Sequence, residues 1–118
     1  MEQFKYEDKT NPNYLMKKMD YTLQYGSFED LKKLFDEDGI DVDQTDFQGR
    51  TALQLYSYKG KEECVKYLIN KGANVNAVMM YHGDKPMTAL DAAIEKDRTE
   101  IIEILITNGA KRGKDLKN

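Results

Sequence analysis

Apolar residues recur along the chain in short stretches of helical spacing, punctuated by glycine. Leu15, Met19 and Leu23 follow at four-residue steps behind Asn11-Pro12, a cap and a first-turn proline. Gly26 then precedes Leu31, Leu34 and Phe35. In the middle of the chain Thr51 can cap a helix running to about Tyr58, with Ala52, Leu53 and Tyr56 on its apolar face. Gly60 breaks that run. A second helix, from about Lys61 to Asn70, carries Cys64, Val65, Leu68 and Ile69 on one face, and Gly72 stands where a helix end favours positive φ. The same sequence of events returns with Thr88, Ala89, Leu90, Ala92 and Ala93, then Ile101, Ile102, Leu105 and Ile106, then Gly109.

The pattern is a repeat. From Thr51 and Thr88 onward two copies run without a gap to Gly72-Ala73 and Gly109-Ala110, at an offset of 37 residues. Stepping backwards, Gly26 lies under Gly60, Leu31 under Val65, and Leu34-Phe35 under Leu68-Ile69. One inserted residue brings Gly39 under Gly72 and Asp41-Val42-Asp43 under Asn74-Val75-Asn76. No copy can bury its apolar faces alone, whereas about three stacked copies can. Six helices in three pairs are therefore predicted, with long excursions around 41–50 and 75–87.

The chain resembles the ankyrin-repeat family. The middle copy carries the family's spaced positions with Asp46, Gly49, Thr51, Leu53, Gly60, Val65, Leu68, Gly72, Ala73, Val75, Asn76 and Ala77. The third carries them with Thr88, Leu90, Ala93, Ile102, Leu105, Gly109 and Ala110. The resemblance implies an all-α ankyrin-repeat solenoid of three helix pairs with β-hairpin-like finger loops. It divides the chain into a partly disordered lead at 1–12, a degenerate capping repeat at 13–45, repeats at 46–79 and 80–111, and a basic tail at 112–118. There are departures. Ala52 and Ala89 replace the family proline, Gln54 and Asp91 replace its histidine, and Asp97 replaces a glycine between helices. The replacement of the histidine by Gln54 and Asp91 is expected to alter the family's bonding between repeats. The connection at 78–85 is longer than the family's and predicts an enlarged finger.

Composition narrows the class of function. A net charge of -3 and a pI near 5.2 argue against nucleic acid, whose phosphates need a basic face. No apolar run approaches the roughly 20 residues needed to span a bilayer, so no membrane partner is expected. Met1 to Asn13 is polar and charged, which argues against a secretory leader, and the single Cys64 excludes an intrachain disulfide. A cytoplasmic setting is expected.

Catalysis is not expected. The one histidine, His82, sits on the enlarged finger, and Cys64 sits on an apolar helix face where a cysteine acts as a small hydrophobe. The run Asp36-Glu37-Asp38-Gly39-Ile40-Asp41-Val42-Asp43 fails the ligand spacing of a calcium loop, its glycine coming early and Phe47 standing at position 12. No cofactor or metal is implied. The run does, with Asp46, place six acids in eleven residues, read either as a solvated turn or as a patch that steers a basic partner.

The resemblance implies that a protein partner docks on the concave side. Carried over position by position, its contacts fall on Phe47, Gln48 and Arg50 in the first finger, and on Met79, Met80, Tyr81, His82 and Lys85 in the second. They also fall at the ends of the first helices of each pair, on Tyr25, on Tyr58 and Lys59, and on Glu95 and Lys96. Asp41, Asp43 and Asp46 join them as the steering acids. The expected function is that of a small inhibitor or immunity protein, antitoxin-like, that neutralises a basic toxin or enzyme. A scaffold or host-directed effector that bridges proteins is the alternative. A monomer is expected over a homodimer, with the tail covering the broad apolar surface of the last helix.

Overall fold

The computed structural model describes residues 11–81 and 83–116. Six α-helices occur among them in three antiparallel pairs: α1 (Tyr14–Tyr25) with α2 (Phe28–Asp36), α3 (Ala52–Lys59) with α4 (Glu62–Asn70), and α5 (Ala89–Glu95) with α6 (Thr99–Thr107). Helices α3 and α5 pack side by side in one layer, and α2, α4 and α6 follow one another in the other. The stack is elongated, 42 × 29 × 22 Å. It is the all-α solenoid expected from the repeat, with one two-stranded hairpin added. The chain positions 1–10, 82 and 117–118, which include most of the expected lead and His82, lie outside the described residues.

The second and third repeats each begin with a reciprocal cap. Thr51 accepts from the Gln54 amide while Gln54 Oε1 accepts from the Thr51 amide, at 3.2 and 2.8 Å. Thr88 and Asp91 repeat the arrangement, as do Ser27 and Asp30 at the head of α2. Each satisfies two orphan amides of a first turn. The residues that replace the family histidine thus serve as third-position partners of the cap. They also take up the bonding between repeats: Gln54 Nε2 donates to the Ala77 carbonyl at 2.9 Å. Helix α1 is different. It starts at Tyr14 rather than behind Pro12, and Asn11 caps from outside by accepting the Asn13 amide at 2.8 Å.

One continuous core runs through the stack, built from Met19, Leu23, Leu31, Leu34, Leu53, Val65, Leu68, Leu90, Ile101 and Leu105. The expected α1 stripe is only partly right. Met19 and Leu23 are buried, but Leu15 is 40% exposed and Thr22 is buried in its place. With 3.6 residues per turn, two strict four-residue steps drift around the helix, and the first of the three residues falls off the buried face.

Asp97 has a φ of +55°, the one non-glycine residue with positive φ among those described, and it stands where the repeat has Gly60 at +80°. A side chain in that conformation costs about 1 kcal/mol, less for Asp than for most residues. Asp97→Gly should raise stability by about 0.5–1 kcal/mol and the melting temperature by about 2–6 °C. A calorimetric scan showing no rise would mean the turn is not strained.

Candidate functional site

A groove of about 440 Å³ opens on the side formed by α3, α5 and the two fingers. Its floor is Leu55 of α3 and Ala92 of α5, both buried, with Gln54 and Thr88 between. One wall is the second finger, a hairpin in which β1 (Met79–Tyr81) pairs antiparallel with β2 (Lys85–Met87), Met79 opposite Met87 and Tyr81 opposite Lys85. That hairpin is what the extra residues of the enlarged connection build. It brings Met79, Met80 and Met87 to the groove, Met80 being 55% exposed. The other wall is Gln48 and Arg50 of the first finger, and the rim is Tyr58 and Glu95 at the ends of α3 and α5. Tyr58, 42% exposed, is held from below by the Lys96 ammonium 4.9 Å from its ring centroid. Methionines, a tyrosine and a buried aliphatic floor can receive an apolar side chain of varied shape.

Six of the expected contact residues therefore meet in one place: Gln48, Arg50, Tyr58, Met79, Met80 and Glu95. Lys96 is second to them, behind Tyr58. Phe47 and Tyr25 are exposed, at 59% and 66%, but do not line the groove. Lys85 is exposed in β2, while the side chain of Tyr81 and all of His82 fall outside the described residues. Lys59 does not line the groove. Its ammonium donates to the Leu23 carbonyl at 3.0 Å, tying the end of α1 to α3, and burial with the neighbouring charges of Arg50 and Lys61 lowers its pKa. Leu55 and Ala92, the floor, were not expected as site residues. Their positions in the repeat read as core, and nothing local separates a core position that is sealed from one that is left open above.

Three of the six acids of the run form ion pairs within the fold. Asp46 is 5% exposed, not solvated: it accepts from the Gln48 and Arg50 amides, each at 2.9 Å, and pairs with the Arg50 guanidinium at 3.0 Å. Asp36 pairs with Lys71 at 2.7 Å and accepts from the Tyr67 hydroxyl at 3.0 Å; the Lys71 ammonium first, and then the Tyr67 hydroxyl, hold its carboxyl below the usual range. Asp38 pairs with Lys18. Asp43 accepts the Asn74 amide at 2.8 Å, as Asn76, its counterpart one repeat on, accepts the Lys111 amide at 2.7 Å. Among the described residues, Glu37, Asp41 and Asp43, half of the run, form no ion pair.

The tail also departs from expectation. It is folded through Leu116 and turns onto the second finger, where a short 3-10 turn (Gly113–Asp115) packs against β2. It does not seal α6, since Ile106 remains 56% exposed. Asp91 is the anchor. Its carboxylate takes the Arg112 guanidinium and the Gly113 amide, both at 2.8 Å, besides the Thr88 amide at 2.9 Å. Burial raises its pKa, but Arg112 and the two amides outweigh that and hold it below the usual carboxylate value.

Cys64 is 6% exposed, and burial pushes its thiol up to about 11, so it stays protonated and inert at neutral pH. Among the described residues no cluster of His, Cys, Asp and Glu is arranged to hold a metal ion, and no helix is long and apolar enough to cross a membrane.

A family model for ankyrin repeats matches residues 19–115 as three copies. Over 104 residues the chain is 31% identical to ankyrin repeat and SAM domain-containing protein 6 of Rattus norvegicus, a match covering 88% of this chain and 11% of that protein. It is 39% identical over 56 residues to ankyrin repeat domain-containing protein 29 of Danio rerio, covering 48% of this chain and 19% of that one. It is 34% identical over 87 residues to palmitoyltransferase ZDHHC13 of Homo sapiens, covering 74% of this chain and 13% of that enzyme. The chain thus spans a small part, 11% to 19%, of these relatives.

Proposed function

Because this chain belongs to the ankyrin-repeat family, whose repeats form protein–protein interaction modules, we propose that it holds one protein partner in the groove between α3, α5 and the second finger. The observation that carries this is the convergence of Met79, Met80, Met87 and Tyr58 over the buried floor of Leu55 and Ala92. The partner supplies one or two apolar side chains as anchors, seated against the methionines. Its flank is mildly basic. Glu95 at the rim and the unpaired acids Glu37, Asp41 and Asp43 favour that sign, more weakly than six free acids would.

A partner seated in this groove has that part of its surface occupied. That action is blocking, and the role is that of an inhibitor or a neutralising, antitoxin-like protein acting in the cytoplasm as a monomer, rather than of an enzyme. Capture from the source cell and titration calorimetry test the site. Tyr58→Ala should weaken binding of the captured partner by about 1–3 kcal/mol, as loss of an aromatic anchor usually does. Equal affinity for parent and variant would remove the groove as the site. The role is read separately: the partner's own activity should fall to completion at one equivalent. Undiminished activity with tight binding would replace blocking by bridging.

A further inference from the structure

We propose that the C-terminal segment 111–116 is a brace that fixes the second finger in place and so sets the width of the groove. An isolated two-stranded hairpin is marginal in water, and this one has strands of only three residues. Something outside must hold it. Met79 and Met80 of β1 line the open groove, where Met80 is exposed. The hairpin's β2 side meets the tail.

The contact is close and chemically specific. A Cβ on Gly113 would lie 2.2 Å from the Pro86 carbonyl oxygen and 2.6 Å from its carbon, so the tail backbone rests directly on the middle of β2. Gly113 has no positive φ, so glycine is needed here for closeness, not for backbone conformation. The same glycine donates its amide to Asp91, and Arg112 donates beside it. Thr88, the residue that follows β2, donates its hydroxyl to the Lys111 carbonyl at 2.7 Å. Finger, tail and the first turn of α5 thus converge on the Thr88–Asp91 cap. The opposite root of the finger is pinned independently, by Gln54 on the Ala77 carbonyl. Of the two roots, the tail therefore governs the one next to Met87 and Thr88, which line the groove.

A plain end cap would add stability to the last repeat and leave the finger no looser than the rest. The brace predicts a local effect. In Arg112→Ala and Gly113→Ala, amides of the hairpin 79–87 should exchange about tenfold faster by NMR while those of α3 and α4 keep their parent rates. Arg112→Lys, which keeps a cation opposite Asp91, should recover much of the protection. If hairpin rates do not change, or rise only in step with α3 and α4, the brace is wrong. The consequence for binding rests on the groove reading above and is tested apart from it. Both alanine variants should bind the captured partner more weakly. A hairpin loosened with no loss of affinity would keep the brace and overturn the groove as the partner's seat.

Discussion

Leu53→Asp should leave the chain unfolded at room temperature, with a helical circular dichroism signal much reduced and no cooperative melt. Leu53 is 1% exposed at the start of α3, the helix that packs on both α4 and α5. The substitution forfeits the burial of a leucine, about 2–5 kcal/mol. It also places a carboxylate among Leu31, Val65, Leu90 and their neighbours in the core. A buried charge without a partner costs several kcal/mol more or forces local opening to water. A domain of this size has about 5–15 kcal/mol in total. In a stack, each repeat is held by its neighbours, so loss of the middle copy removes both interfaces at once. Leu15→Asp is the matched control. At 40% exposure it should change stability by about 0.5 kcal/mol or less, although both leucines look equally apolar in the sequence. A Leu53→Asp chain that kept its parent melting temperature would place α3 in the wrong register.

The contrast between those two leucines marks what the sequence could carry. Leu53 is legible because Leu90 repeats it 37 residues on, in the same relation to a capping threonine and a closing glycine. Recurrence reports tertiary position, since stacked copies put equivalent residues in equivalent places. Leu15 has no such echo; α1 ends the described stack, and its spacing alone did not say which turn would face the core. The enlarged finger was legible as extra length, and the resemblance implied its hairpin-like form; the bounds and register of its strands were not legible, because three residues of Met-Met-Tyr and Lys-Pro-Met carry no alternation to read. Lys59 and Gly113 were missed for a different reason. Each owes its role to an atom far along the chain, the Leu23 carbonyl and the Pro86 backbone. Acids behave in the same way. A run of Asp and Glu looks alike whether it is wet or stitched to Lys18, Lys71 and Arg50, and only the fold distributes its members between the two.

Asp46 shows the size of that difference. Had it been a solvated member of a steering patch, Asp46→Ala would leave stability within about 0.5 kcal/mol and affect only association with a partner. In the fold it organises the first finger instead. The Asp46 amide donates to the Arg50 carbonyl at 2.8 Å, and the Gly49 amide donates to the Asp46 carbonyl at 3.0 Å, closing a turn through Phe47-Gln48-Gly49 with Gly49 at a φ of +81°. The carboxylate fills the inside of that turn, taking two amides and the guanidinium of Arg50. Its side chain is fully shielded, and the Arg50 side chain is 25% exposed. Truncation to alanine leaves two amides without their acceptor and a half-buried guanidinium without its counter-charge, and hydrogen bonds to charged groups contribute about 1.5–3 kcal/mol each. The penalty is reduced because water can reach the opened turn. Asp46→Ala should therefore destabilise by about 2–4 kcal/mol. Asp46→Asn, which can still accept through one oxygen, should cost about half as much. Both are read by urea unfolding, with Asp41→Ala, which removes one exposed acceptor of the Asp43 amide, as the reference of small effect. If Asp46→Ala unfolds at the same urea concentration as Asp41→Ala, the carboxylate is not the centre of the finger, and Arg50 reaches the groove by some other support.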